Sequence, residues 1–490
     1  MKTVFFYYGP DIKHLYWARD DIIFFNEQGW WLFDHNSRKP IAPKDFITHS
    51  ERLIDVDPVE IIRRLRAWGP VWSRWCGKGD QYELLLRDAL LLVIQIASGL
   101  RKLNVSACIM HTGVSHHIDS AIFEIAAELC GVKTVYLYAN IFSTRLLPLI
   151  QDGSIHTRRP YGKSVSSSDY KELLAEFLTS KEQGYSPKNN YKITRQGSSW
   201  IVGVLVLWLR ACIRISHIAA FNLRKVIPKT KRTNANIFSF ANNSYIAQLL
   251  IQFIQQRDAL KYLRSKMRGE SLEDELKRCV DPILLIAAHY QPEATSFPEG
   301  WEMSNHVDIA IELRRKGYQA VILYKEHPGT FLYLFGGHST KVGMSRSRRY
   351  YEQLEYLGCK FTDMNFNLST QPQQNSRYLP VTIGGTIAME RSLAGFHTIV
   401  AGYPWFKGMP GLLYLSEIKS LVEIRPEWVR QDPDLAKRAF NYLDEILSDK
   451  TITNVPGIGT GKRLKGSHDR ALFAKELDAL LRDVQKDDVV

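Results

Sequence analysis

Apolar and polar positions alternate with different periods along this chain, and the changes of period mark out its elements. The opening residues, Met1 to Tyr8, form a short apolar run stopped by Gly9-Pro10, the pattern of a first β-strand. Further on, an apolar run over 105–110 is followed by the loop His111-Thr112-Gly113-Val114-Ser115-His116-His117. A helical pattern over 118–130, a glycine at 131 and a second apolar run over 132–138 complete the unit. Strand, helix, strand in that order predicts a parallel βαβ unit, with Gly131 as the helix C-cap. A second alternating series starts after residue 282. Strands are predicted over 283–288, 320–324, 381–383 and 398–401, and helices over 305–316 and around Glu390. A helix over 245–267 precedes this series, and Ser271 with Asp274 resembles a capping box for a further helix ending near Asp281-Pro282. From residue 441 onward the chain reads as helices, interrupted by a Gly-rich break at 457–466.

The two alternating series are separated by segments of another kind. Residues 164–199 are rich in Ser, Lys, Asn and Gly and read as a linker. An uninterrupted apolar run, Trp200 to Leu209, then meets Arg210, Arg214, His217 and Arg224 at helical spacing, with Ile213, Ile215, Ile218 and Phe221 between them, up to Pro228. A helix apolar at one end and basic-striped at the other either lies in an anionic membrane interface or packs between domains with a solvated basic face; the pattern serves both equally. No apolar run reaches the roughly 18 residues of a spanning helix. The organisation expected is therefore α/β, with two Rossmann-like domains facing each other across a cleft and a basic, apolar helical segment connecting them. The boundaries are 1–182 for an acceptor-binding domain, 183–257 for the connection, 258–440 for a nucleotide-sugar-binding domain, and 441–490 for C-terminal helices.

Composition narrows this picture in one respect. The chain has 490 residues, 45% of them hydrophobic and 23% charged, which excludes a disordered or collagen-like protein and leaves room for about two or three domains. Its net charge of +13 is concentrated: residues 183–257 contain no Asp or Glu and carry Lys188, Lys192, Arg195, Arg210, Arg214, Arg224, Lys225, Lys229, Lys231, Arg232 and Arg257. An anionic partner follows. Few aromatics follow Trp208 in that span and no recognised module is present, so nucleic acid is the poorer fit and an anionic bilayer the better one. The cysteines, at 76, 108, 130, 212, 279 and 359, are dispersed with no CxxC pair, as expected for reduced thiols in the cytoplasm.

Several residues carry candidate chemistry. Gly384-Gly385-Thr386 follows a predicted strand and opens a helix, a place where backbone N–H groups and the helix dipole meet phosphate, with Glu390 one turn on to accept from ribose hydroxyls. The segment is neither a Walker A loop nor G-x-G-x-x-G, and Gly-Gly turns open helices in many α/β folds. His327, between Lys325-Glu326 and Pro328, ends a strand and either serves a phosphate or leaving group or is satisfied by its own turn. Glu293 in Gln291-Pro292-Glu293 is a nucleophile or base, or simply a helix-start carboxylate. His111, His116 and His117, with Asp119 nearby, lack metal-ligand spacing and suit an acceptor-binding loop or a hydrogen-bonded turn; no metal is expected. Arg346, Arg348 and Arg349 either grip an anion or form a solvated helix start.

Together these segments resemble the bacterial capsular-polysaccharide biosynthesis proteins related to β-Kdo glycosyltransferases. The resemblance is carried by His289-Tyr290-Gln291-Pro292-Glu293-Ala294-Thr295, Leu323-Tyr324-Lys325-Glu326-His327-Pro328, Arg346 with Tyr351, Gly385-Thr386 with Glu390, and Gly395, Gly402 and Pro410-Gly411. The His-Pro element is also similar to that of bacterial sialyltransferases, which likewise use CMP-activated acidic sugars. The resemblance implies a GT-B glycosyltransferase of surface polysaccharide or glycolipid synthesis that needs no metal. Its CMP-sugar donor, Kdo or another acidic sugar, would be held through Gln291, Lys325, His327, Gly384, Gly385, Thr386 and Glu390, with Arg346 on the sugar carboxylate and Glu293 as nucleophile. The first half matches only through His116-His117-Ile118-Asp119, which would face a saccharide or lipid-linked acceptor. The chain departs from the family at His397, where proline is usual, at Arg391, which replaces a small residue, and in its acid-free basic span. The alternatives are a GT-B transferase using a UDP- or GDP-sugar and a non-catalytic assembly or export component. The expected place is the inner face of the cytoplasmic membrane.

Overall fold

The computed structural model describes residues 2–6, 22–26, 31–34, 39–41, 57–67, 79–111, 118–139, 146–152, 154–161, 245–267, 276, 282–289, 300–327, 330–331, 346–364, 366, 376–451 and 470–486. The expected linker over 164–199, the apolar-to-basic helix over 200–228, the capping pair Ser271 and Asp274 and the Gly-rich break lie outside these residues.

The first half forms a sheet with β1 (Lys2–Phe6), β2 (Ile22–Asn26), β3 (Trp31–Asp34), β4 (Lys39–Ile41), β5 (Val105–His111), β6 (Lys133–Ala139), β7 (Leu146–Asp152) and β8 (Ser154–Pro160), in the spatial order β4-β3-β2-β1-β5-β6-β7-β8. The four central strands are parallel, and the two at each edge run antiparallel as hairpin additions. The predicted βαβ unit is present: α3 (Ile118–Leu129) crosses from β5 to β6, and Gly131 takes a left-handed φ of 67° just beyond it. The antiparallel edges were not foreseen, although β7 and β8 are as long as β5 and β6 and Asp152-Gly153 between them is a hairpin-turn pair. Helices α1 (Pro58–Ala67) and α2 (Gly79–Lys102) pack with α3, and Ile61, Leu65, Val93, Ile122 and Phe123 are fully buried among them.

The second half supplies α4 (Tyr245–Met267), β9 (Ile283–Ala287), α5 (His306–Arg315), β10 (Ile322–Lys325), α6 (Arg348–Tyr356), β11 (Cys359–Phe361), β12 (Tyr378–Thr382), α7 (Thr386–Leu393), β13 (Thr398–Val400), β14 (Leu412–Tyr414), α8 (Pro433–Asp449) and α9 (Arg470–Lys486). Its sheet is wholly parallel, in the order β11-β10-β9-β12-β13-β14. Numbered within the sheet, this is 3-2-1-4-5-6, the Rossmann order, whose switch point falls between β9 and β12. Buried on both faces, β9 and β12 need the near-continuous apolar runs Ile283-Leu284-Leu285-Ile286 and Tyr378-Leu379-Pro380-Val381 that the sequence provides. Asn305 caps α5 by accepting from the Val307 N–H at 3.1 Å, and Ser347 caps α6 through the Tyr350 N–H at 3.2 Å.

Among the described residues, one apolar cluster draws on both halves, and two of the contacts between them set their arrangement. Tyr138, at the carboxyl end of β6, meets Trp405, just beyond β13, with ring centroids 5.8 Å apart, so the carboxyl ends of the two sheets face each other. The second is α9, which returns to the first sheet: Phe473, Leu477, Leu480, Leu481 and Val484 cover Ala107, Ile109, Val135, Leu137 and Leu146. Lys133 Nζ donates to the Val484 carbonyl at 3.0 Å. Among the described residues no helix is long and apolar enough to cross a membrane.

Candidate functional site

Three of the sequence segments singled out leave the carboxyl ends of three adjacent strands. Glu326-His327 follows β10, His289 follows β9, and Gly384-Gly385 follows β12. This is the edge of the switch point, where ligands sit in open α/β sheets. Gln291 and Glu293 lie beyond His289 in a stretch outside the described residues, as do His116 and His117; Asp119 falls in the first turn of α3.

Beneath these ends runs one buried polar network. Glu326 is 1% exposed, and its carboxylate accepts from Arg346 Nε at 2.7 Å, Tyr351 OH at 2.8 Å, Tyr324 OH at 2.9 Å, Thr330 Oγ1 at 2.9 Å and the His327 N–H at 2.8 Å. Burial alone pushes this carboxyl up, but the Arg346 guanidinium and the bonds it accepts outweigh burial and hold it below its usual range. Arg346 reaches Glu326 with a second nitrogen at 3.4 Å, donates to the His289 carbonyl at 3.2 Å and stacks 4.5 Å from the Tyr350 ring centroid. Gln256 of α4 donates to the Arg346 carbonyl at 2.5 Å. Removing one partner of such a buried pair costs about 3–5 kcal/mol, because the other charge stays buried.

This placement revises the role of Arg346. The guanidinium that the resemblance aims at a sugar carboxylate is 1% exposed and neutralised within the protein. Burial orders the strand ends around it. The charge balance was hidden in the sequence because Glu326 and Arg346 are twenty positions apart.

His327 is partly buried at the end of β10; its N–H is held by Glu326 and its carbonyl accepts from the Thr330 N–H at 3.0 Å. Burial first, then the positive charge of Lys325, brings its pKa down to about 4, so the ring is neutral at pH 7 and offers one N–H and one lone pair. Lys325 is the partly buried last residue of β10.

At β12 the structure divides the Gly-Gly turn. Gly384 is buried and its N–H donates to His289 Nε2 at 3.3 Å, while the Gly385 N–H donates to Thr382 Oγ1 at 3.3 Å. Neither N–H faces outward, which removes Gly384 from the expected phosphate contacts. Anion-binding capacity lies one step later, at exposed Thr386 and half-buried Ile387, the first two residues of α7. Glu390 sits one turn along α7, partly buried. His289 Nε2 lies 2.9 Å from Thr382 Oγ1, and the His289 N–H donates to His306 Nε2 at 3.1 Å. Burial, helped by the nearby charge of His327 and Arg346, pushes the His289 ring down to about 3; His306 is lowered for the same first reason. Glu326, Thr382, His289 and His306 were not assigned roles from the sequence; His289 and Glu326 were visible only as members of their motifs.

Among the described residues no group of His, Cys, Asp and Glu is placed to hold a metal ion. Among the described residues, the strand ends carry a neutral imidazole, a helix start whose first N–H groups have no acceptor within the helix, and a carboxylate one turn inside it. Two sheets with facing carboxyl ends, one in Rossmann order with this edge at its switch point, make the chain a GT-B-like α/β protein.

No family model matches the chain, and no curated protein matches it. Among solved structures it is similar to the UDP-GlcNAc 2-epimerase of Methanocaldococcus jannaschii in complex with UDP-GlcNAc and UDP, at 12% identity over 90% of this chain and 99% of that one, with a TM-score of 0.22. That superposition is too loose to bear on what the chain does.

Proposed function

We propose that the chain is a glycosyltransferase that moves a sugar, Kdo or another acidic sugar, from a CMP-sugar to a saccharide or lipid-linked acceptor in bacterial surface polysaccharide or glycolipid synthesis. The observation that supports this reading is that His289, Glu326-His327 and Gly384-Gly385-Thr386 leave three adjacent strand ends at the switch point. The donor phosphate lies against the Thr386 end of α7, where the dipole and free N–H groups favour an anion. His327 donates its one N–H to a phosphate oxygen, and Glu390 accepts from the ribose. Lys325 adds positive charge beside the leaving phosphate. In the reaction the bond from the anomeric carbon to the phosphate oxygen breaks, and CMP leaves with the electron pair. The Glu293 carboxylate takes the anomeric carbon; the acceptor hydroxyl then displaces it, giving its proton to water and returning Glu293 as a carboxylate. The first sheet carries the acceptor, through the segment containing His116, His117 and Asp119. The basic span holds the enzyme at the inner face of an anionic membrane.

Single-turnover transfer from CMP-Kdo to a lipid-linked acceptor tests the reaction. Glu293→Ala and His327→Ala are each expected to slow transfer by about 100-fold or more, and wild-type rates in both would overturn the assignment. CMP and CTP are expected to raise the melting temperature where UDP and GDP do not. Stabilisation by UDP or GDP alone would move the donor to that class.

A further inference from the structure

We propose that His289 is a positioning residue that sets which backbone N–H groups at the start of α7 face a bound anion. The ligand rests on the nucleotide-sugar reading above; the geometry does not.

His289 is held from three sides. Its N–H donates to His306 Nε2 at 3.1 Å, its carbonyl accepts from Arg346 Nη2 at 3.2 Å, and its ring edge lies against the turn after β12. Because the Gly384 N–H points at Nε2, that nitrogen presents its lone pair. Thr382 Oγ1, 2.9 Å away, directs its hydrogen to the same atom while accepting from the Gly385 N–H at 3.3 Å. Two consecutive N–H groups are thereby turned inward. The carbonyls that a helix would otherwise offer to the next residues are occupied: Thr382 O accepts from the Ala401 N–H and Ile383 O from the Gly402 N–H, each at 2.8 Å. Gly385 O accepts from the Ala388 N–H at 3.0 Å. Thr386 and Ile387 are left with N–H groups that have no acceptor within the helix, at its positive end.

The packing is close enough to make the arrangement specific. A Cβ at Gly385 would stand 2.9 Å from Thr382 Oγ1 and 3.2 Å from His289 Nε2, so only glycine lets the turn touch both side chains. A charged imidazole would set a second donor against the Gly384 N–H, and the low pKa of about 3 keeps the ring an acceptor. Without the acceptor at 289, the Gly384 N–H is left buried and unmet, and the turn rotates to find a partner.

The test uses the full-length chain with His289→Gln, which keeps an acceptor oxygen near the Nε2 position, His289→Leu, which removes it, and Thr382→Val, which is isosteric and removes the hydroxyl. Amide hydrogen exchange over 381–390 is read without ligand, and the CMP dissociation constant by calorimetry. His289→Gln is expected to match wild type within about threefold in both measurements, whereas His289→Leu and Thr382→Val exchange faster at Gly384 and Gly385 and bind CMP about 10-fold or more weakly. Should His289→Leu fail to fold, Thr382→Val carries the comparison. Wild-type exchange and affinity in the acceptor-free variants would overturn the inference, as would equal losses in His289→Gln and His289→Leu. If the wild-type chain binds no nucleotide, the functional reading falls, and the exchange pattern alone decides the role of His289.

Discussion

Burial lowers the proton affinity of both His289 and His327, and nearby positive charge lowers it further. Their folded pKa values, about 3 and about 4, stand below the ordinary 6.5. Between those values and 6.5 the unfolded chain binds more protons than the folded one. Stability therefore rises with pH across that window, is fully present above it and is lost as pH falls through it. Each group contributes up to about 1.4 kcal/mol per pH unit. The midpoint of urea unfolding is expected to fall between pH 7 and pH 5, and His327→Gln to reduce that fall; an unchanged pH dependence in the variant would show that His327 is not the group responsible. The same residues show how far a site is legible one residue at a time. Motif membership located His327 and Thr386 correctly at strand and helix ends. It misread Arg346, because an arginine in a sequence gives no sign of whether its counter-charge belongs to a ligand or, as here, to Glu326 of the same protein.

At the level of elements, period and punctuation carried most of the second sheet. The buried strands β9, β10, β12 and β13 lie within about three residues of where apolar runs placed them. The edge strands β11 and β14 were missed although β13 is equally short: β13 is buried throughout and apolar at its centre, whereas β11 exposes Lys360 and β14 is only partly buried. Junctions between elements depend on details that patterning does not show. Gly395, just after α7, takes a φ of 81°, and a Cβ there would meet the Asp432 carbonyl oxygen at 2.5 Å. That carbonyl belongs to the residue that caps α8, whose own N–H donates to Gly395 O at 2.8 Å. Gly131 has a similar φ of 67° but open space around it. Gly131→Ala is expected to cost about 1 kcal/mol, from backbone strain alone. Gly395→Ala should cost about 3 kcal/mol or more, since α7 and α8 must separate. Chemical denaturation of the two variants measures the difference, and equal losses would mean that the Gly395 contact yields without cost.

Across the whole molecule, the sequence showed two α/β halves joined by a basic span, but not that the last helix belongs to the first sheet. Nothing local marks a helix for a partner so far away in the chain. For the membrane-surface reading proposed above, the charge of 183–257 supplies the measurement. Co-sedimentation with liposomes is expected to require anionic lipid and to weaken as salt rises from about 0.1 M toward 1 M. Neutralising Arg210, Arg214, Arg224 and Lys225 together should reduce it; undiminished binding would return the span to being a solvated connection. The crossing of α9 also orders events in time. Lys133 and Val484, which touch in the finished protein, are separated by 351 positions. At about 5–20 residues per second, the ribosome takes on the order of 20 s to more than a minute to pass from one to the other. Throughout that interval the face formed by Ala107, Ile109, Val135 and Leu137 has been synthesised without its cover. The nascent chain thus carries an uncovered apolar surface until its last turns of helix emerge, an interval in which aggregation competes with folding.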